Sequence, residues 1–119
     1  MFCLRKKHIL PIIDWEAALE QCDGDKDFLY QILSETHKEI TNCHNLEDYS
    51  SEFLREYAHM VKGVAQNLFC KDLEKSSAIL EFVIIRDNNS KEIKKHTKKL
   101  KKSVYRFELF LKEKKIIEV

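Results

Sequence analysis

The chain has 119 residues, with 21 Lys and Arg against 20 Asp and Glu, two Gly and one Pro. That length holds one hydrophobic core and not two, so a single domain over residues 1–119 is expected. A net charge of +1 argues against a generic polyanion binder, and so few Gly and Pro cannot punctuate a fold of many short strands, which leaves the all-α class.

The opening stretch MFCLRKKHILPIID has a basic cluster and an apolar patch broken by Pro11, short of a signal-peptide core. No run approaches the ~18 apolar residues that a membrane span needs, so a cytoplasmic protein without a membrane partner is expected. Cys3, Cys22, Cys43 and Cys70 form no CxxC pair, which predicts reduced thiols used in packing.

Asp14 is the natural N-cap of a first helix through WEAALEQC, which Asp23-Gly24 ends, Gly24 supplying the left-handed turn. A second helix from about Asp25 carries Phe28, Leu29, Ile32, Leu33, Thr36 and Ile40 at three- and four-residue steps on one face. It fades at Asn42 to Asn45. His37, Cys43 and His44 match no usual zinc spacing, so no metal site is expected there. NLEDYSS reads as a polar connection, with Ser50 or Ser51 starting a third helix.

That third helix contains AHMVKG. At about 100° per residue from His59, the apolar positions Phe53, Tyr57, Met60, Val61, Val64 and Leu68 lie at roughly 100° to 200°, and Leu54, Ala58, Ala65 and Phe69 at roughly 220° to 280°. Arg55, Lys62, Gly63 and Gln66 fall within roughly 60° of His59. His59 is therefore expected on an exposed polar strip opposite the core, with a lysine one turn on and a glycine beside it. A glycine inside a strong helix costs about 1 kcal/mol relative to Ala, so the space it leaves is wanted.

Lys71 to Arg86 predicts a fourth helix, its apolar content (Leu73, Ile79, Leu80, Phe82, Val83, Ile84, Ile85) too broad for one stripe and so largely buried. Ser76 and Ser77 would let a neighbouring helix come close. The turn DNNS ends it, and Asn89 with Glu92 predicts a capping box for a last helix from Ser90 to about Lys114, whose seam is Ile93, Thr97, Leu100, Val104, Phe107 and Leu111. The seven lysines between Lys91 and Lys102 read as the solvated face of that helix, so no nucleic-acid partner is expected. The architecture is expected to be an antiparallel four-helix bundle with a short additional N-terminal helix.

AHMVKGVAQNLFCKDLEKSSAILE resembles the His-x-x-Lys-Gly signature of histidine-containing phosphotransfer (HPt) domains of two-component phosphorelays, and PIIDWEAALEQCDGDKDFLYQILSET resembles the stretch that precedes it there. The resemblance spans about residues 10–112. It implies that His59 accepts a phosphoryl group, that Lys62 is the cation beside it, that Gly63 leaves it room, and that Glu81 hydrogen-bonds the other imidazole nitrogen. The chain departs from the family at Phe69, where glycine is usual, and at Gln66, where a small residue is usual. Phe69 is expected to fill a packing gap; Gln66 either hydrogen-bonds the phosphoryl or obstructs an incoming partner.

The implied function is that of a phosphorelay carrier, taking a phosphoryl group from a receiver-domain aspartyl phosphate and passing it to another receiver. With no Gly-rich phosphate loop, Walker lysine or kinase signature, the chain is expected to be a carrier and not an enzyme in its own right, with no cofactor of its own. The implied partners are response-regulator receiver domains, which bring Mg²⁺, and a hybrid sensor histidine kinase. They would meet a monomer through Met60, Val64 and Arg55. Two other classes stay open: an unphosphorylated helical docking module for such domains, and a nucleic-acid or lipid binder built on the basic last helix.

Overall fold

The computed structural model describes residues 12–43 and 45–118. Within them the chain forms α1 (Trp15–Gln21), α2 (Lys26–Ile40), a 3-10 turn (Leu46–Asp48), α3 (Ser51–Asn67), α4 (Lys71–Arg86) and α5 (Ser90–Glu113). No strand occurs among the described residues, and no helix there is long and apolar enough to cross a membrane.

Four of the five helices begin at a capping side chain, and α4 alone follows Cys70 without one. The Asp14 carboxylate accepts from Ala17 N at 3.2 Å, Asp25 from Phe28 N at 3.1 Å and Ser50 Oγ from Phe53 N at 3.2 Å. Asn89 Oδ1 accepts from both Lys91 N and Glu92 N, while the Glu92 side chain, expected to complete a capping box, lies 3.6 Å from His96. Gly24 has φ +76°, and its N–H donates to the Leu19 carbonyl, which closes α1.

The core consists of the periodic faces of α2 to α5, with Leu29, Leu33, Val61, Leu80, Leu100, Phe107 and Leu111 fully buried. α3 packs on α4, α4 on α5, and α5 also meets α2 and the 3-10 turn. Polar ties run between these layers. Tyr57 Oη donates to the Ile40 carbonyl at 2.6 Å, and burial pushes its phenol above the ordinary value. His37 Nε2 lies 2.8 Å from Glu108 Oε2, joining α2 to α5. Ser77 and Ser103 are buried, and Ser76 Oγ meets Ser103 Oγ at 2.8 Å, the close approach of α4 and α5 that small side chains permit. Cys22 and Cys70 are buried, and burial pushes the Cys70 thiol up to about 12; Cys3 lies outside the described residues.

Three apolar expectations are corrected. Phe28 is 50% exposed because it lies roughly 100° round α2 from Leu29, outside the arc that contains Leu33, Thr36 and Ile40. Phe82 and Ile85 are 56% and 64% exposed, since they sit roughly 200° and 140° from Leu80, on the side of α4 that faces neither neighbour. The supposedly polar connection NLEDYSS holds the 3-10 turn, whose Leu46 is buried and whose Glu47 carboxylate takes Lys101 Nζ at 3.0 Å on both oxygens.

The turn from α3 to α4 depends on Phe69. Its φ is +58°, the left-handed region that favours glycine, and Cys70 N donates across it to the Ala65 carbonyl at 2.8 Å. The Phe69 ring packs against the core, and its carbonyl accepts from Asp14 N at 3.0 Å, which ties the start of α1 to the end of α3. An ordinary side chain in this conformation costs about 1–2 kcal/mol. Both Phe69→Ala and Phe69→Gly lose the ring's packing, but only glycine relieves the backbone. Denaturant unfolding is therefore expected to find the Gly variant about 1 kcal/mol more stable than the Ala variant, the reverse of their order in an ordinary helical position.

Candidate functional site

α3 buries Leu54, Tyr57, Ala58, Val61 and Ala65 and so turns the opposite side to solvent. His59 is on that side, its side chain 68% exposed. α3 packs closely on α4, where Glu81 lies just below the rim with a side-chain exposure of 12%. Sequence periodicity alone would leave Glu81 as a helical carboxylate of no fixed direction; the packing of the two helices aims it at α3.

The Glu81 carboxylate joins two residues one turn apart on α3. Its Oε2 is 2.8 Å from His59 Nδ1, and its Oε1 is 2.7 Å from Lys62 Nζ. Burial acts to raise the carboxyl's pKa, but the hydrogen bonds and charges of Lys62 and His59 outweigh it and hold Glu81 below its ordinary value. An ionised acceptor on Nδ1 fixes the imidazole tautomer with the proton on Nδ1 and the lone pair on Nε2. That leaves Nε2 as the nucleophilic atom of an exposed ring oriented from beneath.

The other expected residues are placed as follows. Lys62 does not stand free beside the imidazole: one donor engages Glu81, and an ammonium has three. Gly63 is helical, and a Cβ built there would meet nothing within 4 Å, so the space above it is open. Gln66 is exposed but drawn off the His59 strip, its Nε2 donating to Glu74 Oε2 at 3.3 Å. Met60 and Val64 are half-buried at the flank, packed against the core, and Arg55 is half-buried one turn before His59. His59, Lys62 and Glu81 are thus brought into bonding contact, with Gly63 beside them and Gln66 directed elsewhere.

Sequence reasoning missed Glu74, the residue that captures Gln66. Its only trace there is an amide and a carboxylate eight residues apart across a helix–helix turn. His37 Nε2 is paired with Glu108, and His44 lies outside the described residues. No group of three or more His, Cys, Asp or Glu arranged to hold a metal ion occurs among the described residues.

Comparison with protein-family models, with curated proteins and with solved structures finds no match. The chemistry of the site is therefore argued from its own side chains.

Two consequences are measurable. Because Gly63 has open space around it, Gly63→Ala is expected to raise stability by about 1 kcal/mol through helix propensity alone, read as a higher denaturant midpoint with an unchanged slope. Because the folded pKa of Glu81 lies below its unfolded value, its pairing stabilises the fold above the usual carboxylate range, and that contribution is lost as pH falls through the folded value. Thermal midpoints from pH 6 down to about pH 3 are expected to fall less steeply in Glu81→Gln than in the parent protein.

Proposed function

We propose that this protein is a phosphorelay carrier: His59 Nε2 takes a phosphoryl group from an aspartyl phosphate on a receiver domain and passes it to the aspartate of another. The observation that carries this is the exposed imidazole whose Nδ1 is held at 2.8 Å by the buried carboxylate of Glu81. It is supported by the open space over Gly63 and by the resemblance of the AHMVKG segment to histidine-containing phosphotransfer domains.

In the proposed step the Nε2 lone pair attacks phosphorus in line as the bond to the aspartyl oxygen breaks, and the aspartate leaves as a carboxylate. No proton need move. Nδ1–H stays on Glu81, whose negative charge offsets the positive charge that the ring acquires as the N–P bond forms. The two N–H groups of Lys62 that Glu81 does not engage are the donors for the phosphoryl oxygens. Gly63 gives the phosphoryl and the receiver's loops room, and Met60, Val64 and Arg55 form the flank on which the receiver rests. Such a contact is small and short-lived, as a relay requires. Receivers and a hybrid sensor kinase are the partners, the receiver supplies Mg²⁺, and the carrier works as a monomer.

The proposed carrier is an antiparallel four-helix bundle of α2 to α5 with α1 across one end. His59 stands eight residues before the end of α3 and Glu81 ten after the start of α4. Those distances from the shared turn differ by only about 3 Å at 1.5 Å per residue, which supports antiparallel α3 and α4.

The decisive experiment is phosphotransfer from phosphorylated receivers. Acid-labile, alkali-stable label is expected on the parent protein and none on His59→Gln; label that persists in His59→Gln would remove His59 as acceptor. Glu81→Gln keeps an acceptor for Nδ1–H but loses the charge, and is expected to slow transfer by about 10²-fold. Gly63→Ala is expected to slow transfer although it stabilises the fold, which separates a steric role in docking from a structural one.

A further inference from the structure

α4 and α5 also flank a groove of about 600 Å³ that plays no part in the His59 site. Asp72, Lys75, Ser76 and Ile79 face it from α4 at three- and four-residue steps, and Ile12 also lines it. Lys99, Lys102 and Arg106 face it from α5 at similar steps. Four cations thus meet there with one carboxylate.

That carboxylate is already engaged. Arg106 Nε donates to Asp72 Oδ2 and its Nη2 to Asp72 Oδ1, each at 2.9 Å, and Ser103 Oγ donates to Asp72 Oδ1 at 3.2 Å. Arg106 Nη2 also donates to Ser103 Oγ at 3.0 Å. The guanidinium is therefore clamped, and the two N–H groups on Nη1 are left without a partner among the described residues. Lys75, Lys99 and Lys102 form no ion pair among the described residues. A fixed guanidinium edge with three unpaired ammonium groups is the chemistry that holds phosphate, and it costs little ordering on binding because the guanidinium is already held.

Shape narrows the ligand. The groove has the volume of a small-molecule site, and its isoleucines offer an apolar surface next to the charges. Lys94 and Lys101 lie on another side of α5, roughly 140° and 160° round the helix from Lys99, and Lys101 is bound to Glu47. Charge lining the groove can thus be varied separately from charge on that other side.

We infer that the groove between α4 and α5 binds a small organic diphosphate, its phosphates on Lys75, Lys99, Lys102 and Arg106 and its flat apolar portion on Ile12 and Ile79. The inference is independent of whether His59 carries a phosphoryl group.

The test is titration calorimetry of the full chain with ADP, pyrophosphate, adenosine and a short single-stranded oligonucleotide at about 0.15 M salt, with amide shifts in NMR spectra locating the site. ADP is expected to bind with Kd below about 1 mM, more tightly than pyrophosphate or adenosine, and to shift amides in residues 72–79 and 96–106. Lys99→Ala with Lys102→Ala is expected to weaken ADP about tenfold. Lys94→Ala with Lys101→Ala removes the same charge from the other side of α5 and is expected to leave ADP binding unchanged. Equal weakening by both pairs would reduce the effect to diffuse charge and overturn the site. Pyrophosphate binding as tightly as ADP would overturn the apolar subsite, and preference for the oligonucleotide would make the surface a nucleic-acid face. No heat and no shifts with ADP would end the proposal outright.

Discussion

The buried carboxylate of Glu81 sets the geometry of this molecule. An ionised group at that depth is tolerated only when its oxygens are paired, and here each oxygen takes one donor from α3, Nδ1 of His59 and Nζ of Lys62. Two donors three residues apart on one helix, meeting two oxygens of one side chain on the next, leave little freedom in either rotation or axial offset between α3 and α4. Much of the neighbouring sequence serves that requirement. Ala58 and Ala65 on α3 and Ser77 on α4 are small and fully or almost fully buried, and Phe69 accepts a left-handed backbone so that Lys71 can begin α4 immediately.

The same constraint produces the contrast in exposure on which the proposed reactivity of His59 rests. Glu81 is at 12% and His59 at 68%, so the orienting group is shielded and the oriented group is open. A carboxylate as exposed as the imidazole would be screened by water and would hold the ring loosely. Lys62 tempers this arrangement, since its ammonium shares Glu81 and keeps the carboxylate ionised without a proton from the histidine.

Features that depend on one helix at a time were legible in the sequence. Asp14, Asp25, Ser50 and Asn89 cap the helices they were expected to start, because a cap is a contact over two or three residues. The outward direction of His59 followed from period alone. Features that depend on the phase of one helix against another were less legible, although Ser76 and Ser77 did mark where a neighbour comes close. No count along α4 shows that Phe82 and Ile85 face no neighbour, nor that Gln66 reaches across to Glu74, since both depend on the phase of one helix against the next. Phe69 was read as a packing residue, which it is, but its positive φ belongs to the turn geometry and leaves no trace in residue type when glycine is absent. Glu81 entered through a resemblance, and the 2.8 Å and 2.7 Å contacts supply the physical reason for singling it out.

α4 is the element on which these features converge. Glu81 faces α3, Leu80 and Leu73 fill the core, and Asp72, Ser76 and Ile79 face the α5 groove, so three chemically different sides occupy one helix of 16 residues. Residues 79 and 81 are roughly 200° apart, which puts the groove and the histidine site on opposite flanks. A rotation of α4 large enough to reshape the groove would withdraw Glu81 from both of its α3 donors and leave a carboxylate and an ammonium partly desolvated and unpaired. The fork of Arg106 on Asp72 opposes the same rotation from the other flank. Charge pairs on two sides therefore hold α4 in one phase, and the orientation of the His59 ring follows from that phase.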